Sequence, residues 1–275
     1  MEDEVKKIIA VVLIVCLALG FSACSKNAET DENKGSSVNE AEPAANETLL
    51  VAAAASLKIC FEDELIPMFE EKYPNIKVDA TYDSSGKLQT QIEEGADVDV
   101  FMSAAMKQMN ALDEQELMVK ESIVKLLENK VVLIVPKDSD KGITAFEEIL
   151  KAETVAVGDP DSVPAGQYAK EIFENLGLWD DVSAKSSLGT NVTEVLNWIS
   201  EGSADAGVVY STDAASNKNV VIAAEAPEKS VSPVIYPVGV VKSSTKKDSS
   251  KLLIEFLKSN EALSVFEKYG FTSLK

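Results

Sequence analysis

The chain has 275 residues, 45% apolar and 26% charged, which is enough for one large domain or two small ones. All 26 basic residues are lysines, since the sequence has no arginine and no histidine, and 46 acidic residues give a formal charge of −20. This composition excludes Ser-His-Asp and Cys-His catalysis, histidine-ligated zinc and arginine clamps on phosphoryl groups. It also argues against nucleic acid as a partner, because nucleic-acid binders need a basic face to displace counterions.

The N-terminus has the features of an export signal. Two lysines precede an apolar run over residues 8–21, and the run is followed by Ser22-Ala23-Cys24. Fourteen residues at about 1.5 Å each are short for a hydrocarbon core about 30 Å thick, which favours a secretory signal over a spanning helix. Because small residues before a cysteine resemble a bacterial lipobox, we expect residues 1–23 to be a lipoprotein signal peptide and Cys24 to be lipidated. An uncleaved anchor is the alternative, and either one places the body outside the cytoplasmic membrane.

The segment over residues 24–47 is predicted to be a disordered tether. It is rich in Asn, Ser, Glu and Ala, with one proline and no aromatic residue. Such a composition cannot bury enough apolar surface to offset the entropy of ordering the chain. Beyond it, Cys60 is the remaining thiol. It lies on an apolar helical stripe, so we expect a buried structural cysteine and no internal disulfide.

From residue 48 onward, β-rich runs alternate with helical periods. The pattern predicts, in chain order, strand 49–53, helix 57–72, strand 76–81, helix 87–94, strand 98–102, helix 106–115, strand 131–135, helix 144–150, strand 155–157, helices 165–176 and 192–200, strands 207–210, 220–223 and 234–241, and helices 249–258 and 262–269. Such alternation indicates mainly parallel sheets, and about 228 residues of it suggest two lobes rather than one.

Four junctions between a strand and the next helix carry small or hydroxyl residues. They are residues 52–56, 83–86, 158–166 and 189–194. Ligands of such sheets lie beyond the carboxyl ends of the strands, at the following helix N-termini. Any one junction alone is an ordinary turn or helix cap. Together, several helix N-termini with free N–H groups could converge on one point, which would make an anion site from neutral donors.

Several segments resemble one family in their order and spacing. They are 53–57 (AAASL), 84–88 (SSGKL), 91–96 (QIEEGA), 99–104 (DVFMSA), 157–160 (VGDP) with 163–170 (VPAGQYAK), 207–214 (GVVYSTDA), 236–238 (YPV) and 269–271 (YGF). Together they resemble the molybdate-binding proteins of molybdate ABC importers, over about residues 49–271.

The resemblance implies an α/β fold of the type II periplasmic-binding-protein kind. Its two lobes would have mainly parallel sheets flanked by helices, with an oxyanion bound in the cleft between them. We expect the first lobe to comprise residues 48–130 and 234–275 and the second to comprise residues 131–233.

The resemblance also implies five ligand contacts. Two serines would each offer a hydroxyl and a backbone N–H, two residues at helix starts would offer a backbone N–H, and one tyrosine would offer its phenol: Ser56, Ser85, Ala165, Val192 and Tyr210. Most of these positions lie in the four junctions described above, which were identified without the resemblance. Tyr210 is the addition, because a tyrosine at a strand end is usually core or surface.

Such a site would contain hydrogen-bond donors only, which favours anions that carry no proton. Molybdate, tungstate and sulfate fit, whereas hydrogen phosphate also needs an acceptor. The resemblance decides for molybdate, with tungstate as a second ligand. Asp83 departs from the family, which often has a small neutral residue there, so we expect its carboxylate to cap the turn or face solvent. The further expectations are no cofactor and no metal beyond the molybdenum of the ligand, a permease partner, a lipid anchor and a monomer.

Two other classes of function compete with this one. Besides a binder of another oxyanion such as sulfate, a polyamine-binding protein would suit the excess of acids, but its junctions should carry carboxylates and tryptophan. Trp179 and Trp198 instead lie at a helix end and within a helix. An enzyme would need converging catalytic groups, and the adjacent Glu147 and Glu148 on a predicted helix cannot face one substrate together.

Overall fold

The computed structural model describes residues 46–274. The predicted signal peptide, the lipidation site Cys24 and the predicted tether up to residue 45 lie outside the described residues. Over residues 46–274, no helix combines the length and the apolar character that crossing a membrane requires.

Eleven strands within residues 46–274 form two sheets. The strands are β1 (Glu47–Ala54), β2 (Ile76–Asp83), β3 (Val100–Met102), β4 (Val124–Asn129), β5 (Val131–Pro136), β6 (Val155–Gly158), β7 (Ser186–Gly189), β8 (Ala206–Tyr210), β9 (Val220–Glu225), β10 (Val234–Val240) and β11 (Thr272–Ser273).

The helices flank these sheets. They are α1 (Lys58–Cys60), α2 (Ile66–Lys72), α3 (Ser85–Glu93), α4 (Met106–Glu114), α5 (Pro164–Asn175), α6 (Trp179–Ser183), α7 (Val192–Ser200), α8 (Ser211–Ala215), α9 (Lys247–Leu257) and α10 (Asn260–Lys268). Short 3-10 helices span Ala55–Leu57, Lys120–Ser122 and Phe146–Lys151, and a π-helical turn spans Phe61–Leu65.

The chain passes between the two sheets twice. One sheet has the order β11-β4-β10-β3-β1-β2 and the other β7-β6-β8-β5-β9. We call each sheet with its packed helices a lobe, the first being the six-stranded one. The crossings run from β4 to β5, through Lys130 alone, and from β9 to β10. The α/β fold with two sheets flanked by helices is confirmed, while the exact lobe limits at 130/131 and 233/234 stay a prediction.

The expectation of mainly parallel sheets is corrected, because both sheets are mixed. Within the described residues, four strand pairings are parallel and five are antiparallel. The parallel pairs join strands connected through helices, as the alternation predicts. Every antiparallel pair contains β4, β5 or β10, which are strands at the crossings between lobes. No strand was expected at β4, because Lys125, Glu128 and Asn129 interrupt its apolar residues.

Two predicted helices differ in detail from the structure. The helix expected over residues 57–72 is helical throughout, but the π-helical turn Phe61–Leu65 separates α1 from α2. Its apolar stripe is buried as expected, with Leu57, Phe61 and Leu65 all 1% exposed or less. The helix expected over residues 144–150 is the 3-10 helix Phe146–Lys151.

Cys60 is a buried thiol, as the apolar stripe predicts. Its side chain is 1% exposed, and its Sγ–H donates a hydrogen bond of 3.1 Å to the carbonyl oxygen of Leu57. Burial in apolar surroundings raises the pKa of the thiol to about 12. Cys60 therefore stays protonated, and it packs as part of the core of the first lobe.

Candidate functional site

Helix N-termini and strand ends of both lobes meet around one cavity. The first lobe contributes the turn after β1 and the start of α3. The second contributes the starts of α5 and α7 and the end of β8. All five residues that the sequence singles out as ligand contacts line this cavity: Ser56, Ser85, Ala165, Val192 and Tyr210. The structure therefore brings these residues together, while their contact with a ligand stays a prediction.

The start of α3 presents Ser85 to the cavity. Ser84 is the N-cap residue, and its Oγ accepts a hydrogen bond of 3.4 Å from the backbone N–H of Lys87. The fully buried Ser85 Oγ accepts one of 2.9 Å from the backbone N–H of Ala104. Since a backbone N–H can only donate, the hydroxyl proton of Ser85 remains available for an acceptor in the cavity.

The start of α5 presents the backbone N–H of Ala165. Pro164 is the first helical residue, where its missing N–H costs nothing, and Ala165 follows in the first turn. First-turn N–H groups have no partner within their own helix. Gly166 lets α5 lie directly against the end of β6, because a Cβ there would overlap the carbonyl oxygen of Gly158. This contact fixes where the Ala165 N–H lies.

The start of α7 presents Val192. Its N-cap is Asn191, as predicted, with Oδ1 accepting a hydrogen bond of 3.0 Å from the N–H of Glu194. The carboxylate of Glu194 reaches back to the N–H of Thr190, at 2.6 Å. Glu194 thus bonds to the residue before the N-cap and not to the N-cap N–H of a reciprocal capping box, and the two bonds hold the first turn of α7 at the cavity wall.

Tyr210 ends β8 with a buried hydroxyl that has no partner. Its side chain is 1% exposed, and within the described residues its Oη makes no hydrogen bond. The ring lies edge-on to those of Tyr168 and Tyr236, with centroids at 6.5 and 5.7 Å. Burial raises the pKa of Tyr210 well above its usual value. The phenol therefore stays protonated and is a donor without an acceptor at the cavity wall.

Ser56 is held by a second tyrosine that the sequence analysis did not assign a role. Ser56 Oγ lies 2.9 Å from Tyr236 Oη, and Tyr236 Oη lies 3.3 Å from Asn129 Nδ2. Tyr236 occurs in one of the segments that carry the resemblance, but nothing in the sequence signals Asn129. Their contacts depend on the fold, because Tyr236 belongs to β10 and Asn129 ends β4.

Asp83 caps the turn before α3, as expected, and also lines the cavity. Its Oδ1 accepts a hydrogen bond of 2.8 Å from the N–H of Ser84. The same oxygen lies 3.4 Å from Lys87 Nζ and 3.2 Å from Asn191 Nδ2 of the other lobe. The carboxylate is thus surrounded by donors, which offsets part of the repulsion it would exert on an anion.

The buried carboxyl of Asp213 lies on α8, which directly follows Tyr210. Its Oδ2 accepts a hydrogen bond of 3.3 Å from the N–H of Tyr210. Burial raises the pKa of Asp213 to about 7, although backbone hydrogen bonds partly oppose the shift. Within residues 46–274, no three His, Cys, Asp or Glu residues lie close enough to hold a metal ion.

The comparison with known proteins fits this geometry. The profile of the bacterial extracellular solute-binding proteins matches residues 49–272. The chain belongs to this family. This solute-binding protein is 42% identical over 226 residues to YvgL of Bacillus subtilis (strain 168), which is named provisionally as an ABC transporter substrate-binding lipoprotein. The match covers 82% of this chain and 86% of YvgL.

Two further relatives are named for molybdenum. The molybdate-binding protein ModA of Haemophilus influenzae is 37% identical over 235 residues, covering 84% of this solute-binding protein and 92% of ModA. A solved substrate-binding domain from Clostridium difficile, provisionally assigned to a molybdenum ABC transporter, is 37% identical with a TM-score of 0.64. That match covers 83% of this chain and 100% of the domain. The resemblance to molybdate-binding proteins is confirmed.

Proposed function

We propose that this solute-binding protein captures molybdate, and also tungstate, outside the cytoplasmic membrane and delivers it to the permease of an ABC importer. The observation that carries the proposal is the buried hydroxyl of Tyr210, which makes no hydrogen bond within residues 46–274 and lies at a cavity where helix N-termini of both lobes meet. A bound oxyanion would give this hydroxyl its acceptor. The proposed contacts are Ser56, Ser85, Ala165, Val192 and Tyr210.

Neutral donors are sufficient for tight binding. The five residues offer about seven donors, counting the hydroxyl and the N–H of each serine. A hydrogen bond to a charged acceptor contributes roughly 1.5–3 kcal/mol, so seven give on the order of 10–20 kcal/mol before association costs. That range leaves room for micromolar to nanomolar affinity. The formal charge of −20 acts weakly at the cavity, because charges beyond about 8 Å are screened at physiological salt.

The charges at the cavity wall favour an anion over a polyamine. Among the lining residues, Asp83 is the one ionisable acid, and it already accepts from Lys87 and from Asn191. A polyamine would need several free carboxylates. Sulfate is the closer alternative, because it too carries no proton, and the names of the relatives support molybdate over sulfate.

The proposal extends to the place of the protein in the cell. The family is extracellular, and a relative named as a lipoprotein supports attachment through Cys24 to the outer face of the cytoplasmic membrane. We further propose that the protein is a monomer with no cofactor and no catalytic activity. The relatives are named for binding rather than for a reaction.

Titration of the purified protein with four anions tests the proposal. Molybdate and tungstate should raise the melting temperature strongly, sulfate weakly and phosphate least. At a thousandfold excess over Kd the gain is ~4 kcal/mol, or roughly 8–16 °C for a domain of this size. Equal stabilisation by phosphate would contradict a donor-only site, and a larger effect of sulfate than of molybdate would assign the protein to sulfate.

A further inference from the structure

Three side chains in line connect the strand crossing to the cavity. Asn129 Nδ2 lies 3.3 Å from Tyr236 Oη, and Tyr236 Oη lies 2.9 Å from Ser56 Oγ. All three side chains are buried or partly buried, and Ser56 lines the cavity. The direction in which each hydroxyl donates therefore decides whether Ser56 presents a donor or an acceptor to a ligand.

The orientation of the Asn129 amide is fixed by its other neighbours. Its Oδ1 accepts a hydrogen bond of 2.8 Å from the backbone N–H of Lys130, which can only donate. Ser211 Oγ also donates to this oxygen, at 3.0 Å. The Nδ2 group must consequently face Tyr236 Oη and Thr212 Oγ1, the latter at 3.0 Å. Tyr236 Oη thus accepts a hydrogen bond from Asn129 Nδ2.

Of the two groups that hydrogen-bond to Tyr236 Oη within residues 46–274, Ser56 is the one left to accept its proton. The side chain is fully buried, and burial raises its pKa well above the usual value, so the phenol keeps its proton. Tyr210 Oη makes no hydrogen bond with it. If Ser56 were the donor, the Tyr236 proton would be buried without a partner, which is costly. The favoured order is Asn129 to Tyr236 to Ser56.

We propose that Tyr236 is a positioning residue that fixes the Ser56 hydroxyl as a donor and thereby excludes oxyanions that carry a proton. This inference rests on the proposed function. With one of its two lone pairs occupied by the hydrogen bond from Tyr236, Ser56 directs its own proton toward the cavity. The Ser85 hydroxyl also has its proton free for the cavity, because the N–H of Ala104 donates to its Oγ. A protonated anion would then face two hydroxyl protons at places where its own proton needs an acceptor.

The test compares sulfate with phosphate at pH 8. At this pH sulfate and most of the phosphate are tetrahedral dianions, but phosphate keeps one proton. Each anion is titrated as a competitor of molybdate, and the ratio of the two inhibition constants measures discrimination against the proton. Tyr236→Phe keeps the ring against Tyr210 and Phe271 and frees Ser56 to accept. The preference for sulfate should fall about 3- to 10-fold, the size of one neutral hydrogen bond.

The matched control is Tyr168→Phe. This tyrosine also packs edge-on against Tyr210 but does not line the cavity, so the ratio should keep its wild-type value. In the double variant Ser56→Ala with Tyr236→Phe, the ratio of inhibition constants should match that of Ser56→Ala alone. The reason is that Tyr236 acts on the anion only through its hydrogen bond to Ser56, which we call the relay. An effect of Tyr236→Phe that persists without the Ser56 hydroxyl would overturn the relay.

Asn129→Asp provides a second variant in case Tyr236→Phe does not fold. An oxygen then replaces the donor that faces Tyr236, so Tyr236 turns its proton to residue 129 and Ser56 donates to Tyr236. The added charge repels sulfate and phosphate alike. The ratio of their inhibition constants therefore still reports whether Ser56 donates to the anion, and it should again shift toward phosphate. An unchanged ratio of the two inhibition constants in the folded variants overturns the inference. Phosphate that fails to compete detectably in every variant overturns it as well. In both cases, binding of molybdate by the wild type still supports the proposed function. Absence of molybdate binding by the wild type overturns both.

Discussion

The backbone N–H of Gly86 donates a hydrogen bond of 2.9 Å to the carbonyl oxygen of Ser162, and this bond joins the two lobes beside the cavity. Gly86 is in the first turn of α3, and Ser162 precedes α5. A Cβ on Gly86 would overlap the Ser162 carbonyl group. The lobes can therefore meet at this point because residue 86 has no side chain.

Gly86→Ala should weaken molybdate binding by about 10- to 100-fold, since the two lobes can no longer close fully around the anion. The free energy of unfolding without ligand should not fall, because alanine favours a helix by roughly 0.5–1 kcal/mol over glycine. Calorimetric titration measures the affinity and denaturant unfolding the stability. Gln91→Ala, at an exposed position near the end of α3, is the control. Wild-type affinity in Gly86→Ala would show that this contact is not needed for binding.

Tyr210→Phe should lower molybdate affinity by about 10- to 150-fold. The change removes one donor to a charged acceptor, worth roughly 1.5–3 kcal/mol, and keeps the ring. Unliganded stability should be nearly unchanged, because within the described residues the hydroxyl has no partner to lose. Isothermal titration checks the affinity, with Tyr168→Phe as the control. An affinity equal to that of the control would remove Tyr210 from the proposed site.

Asp213 should make the stability depend on pH near neutrality. Burial raises its pKa from 3.8 to about 7 in the folded protein, so the folded state binds a proton that the unfolded state releases. The resulting stability is complete below pH ~4 and is lost as the pH rises to ~7, at about 1.4 kcal/mol per pH unit. Relative to Asp213→Asn, the wild type should be more stable at pH 5 than at pH 8, as measured by denaturant unfolding.

The control for this pH effect is Asp205→Asn. Burial opposes ionisation of Asp205, but hydrogen bonds from the N–H groups of Thr154 and Glu153 outweigh it and lower its pKa. A lowered pKa contributes stability that is lost only as the solution becomes acidic, so the difference from wild type should stay constant between pH 5 and pH 8. Parallel pH profiles for wild type and Asp213→Asn would refute the assignment of the shift to Asp213.

Cys24→Ala should release the protein from the membrane fraction or leave its signal peptide uncleaved. The reason is that lipidation of Cys24 provides the proposed anchor, and cleavage before this residue depends on it. Fractionation and the size of the mature chain provide the measurement, with Cys60→Ala as the control for loss of a thiol. Normal retention at the normal mature size would count against lipidation.

Local sequence signals were sufficient for much of the site. Ser56, Ser85, Ala165 and Val192 stand at helix starts, and capping and small residues mark such starts within a few positions of the chain. Around them the structure forms one cavity. The phenol of Tyr210 had no such signal. The sequence at the end of an apolar strand is the same whether the last side chain packs in the core or contacts a ligand.

Contacts between distant segments could not be predicted. Ser56 and Tyr236 are 180 residues apart, and Asn129 and Tyr236 are 107 apart, so no local pattern relates them. The same reason applies to β4, whose charged residues hide a strand that forms only between β10 and β11. The helix-start residues at the cavity followed from local rules, whereas Tyr236 and Asn129, which orient Ser56, required the fold.

The two crossings of the chain determine how an importer could distinguish a loaded protein from an empty one. One crossing is the single residue Lys130, and the other is the segment over residues 226–233 between β9 and β10. These two connections define a line, and we expect the lobes to swing about it when a ligand binds. Molybdate and tungstate, though different in mass, would then bring the outer rims of the protein to the same spacing. The permease would then distinguish only a closed protein from an open one, whichever of the two anions is bound.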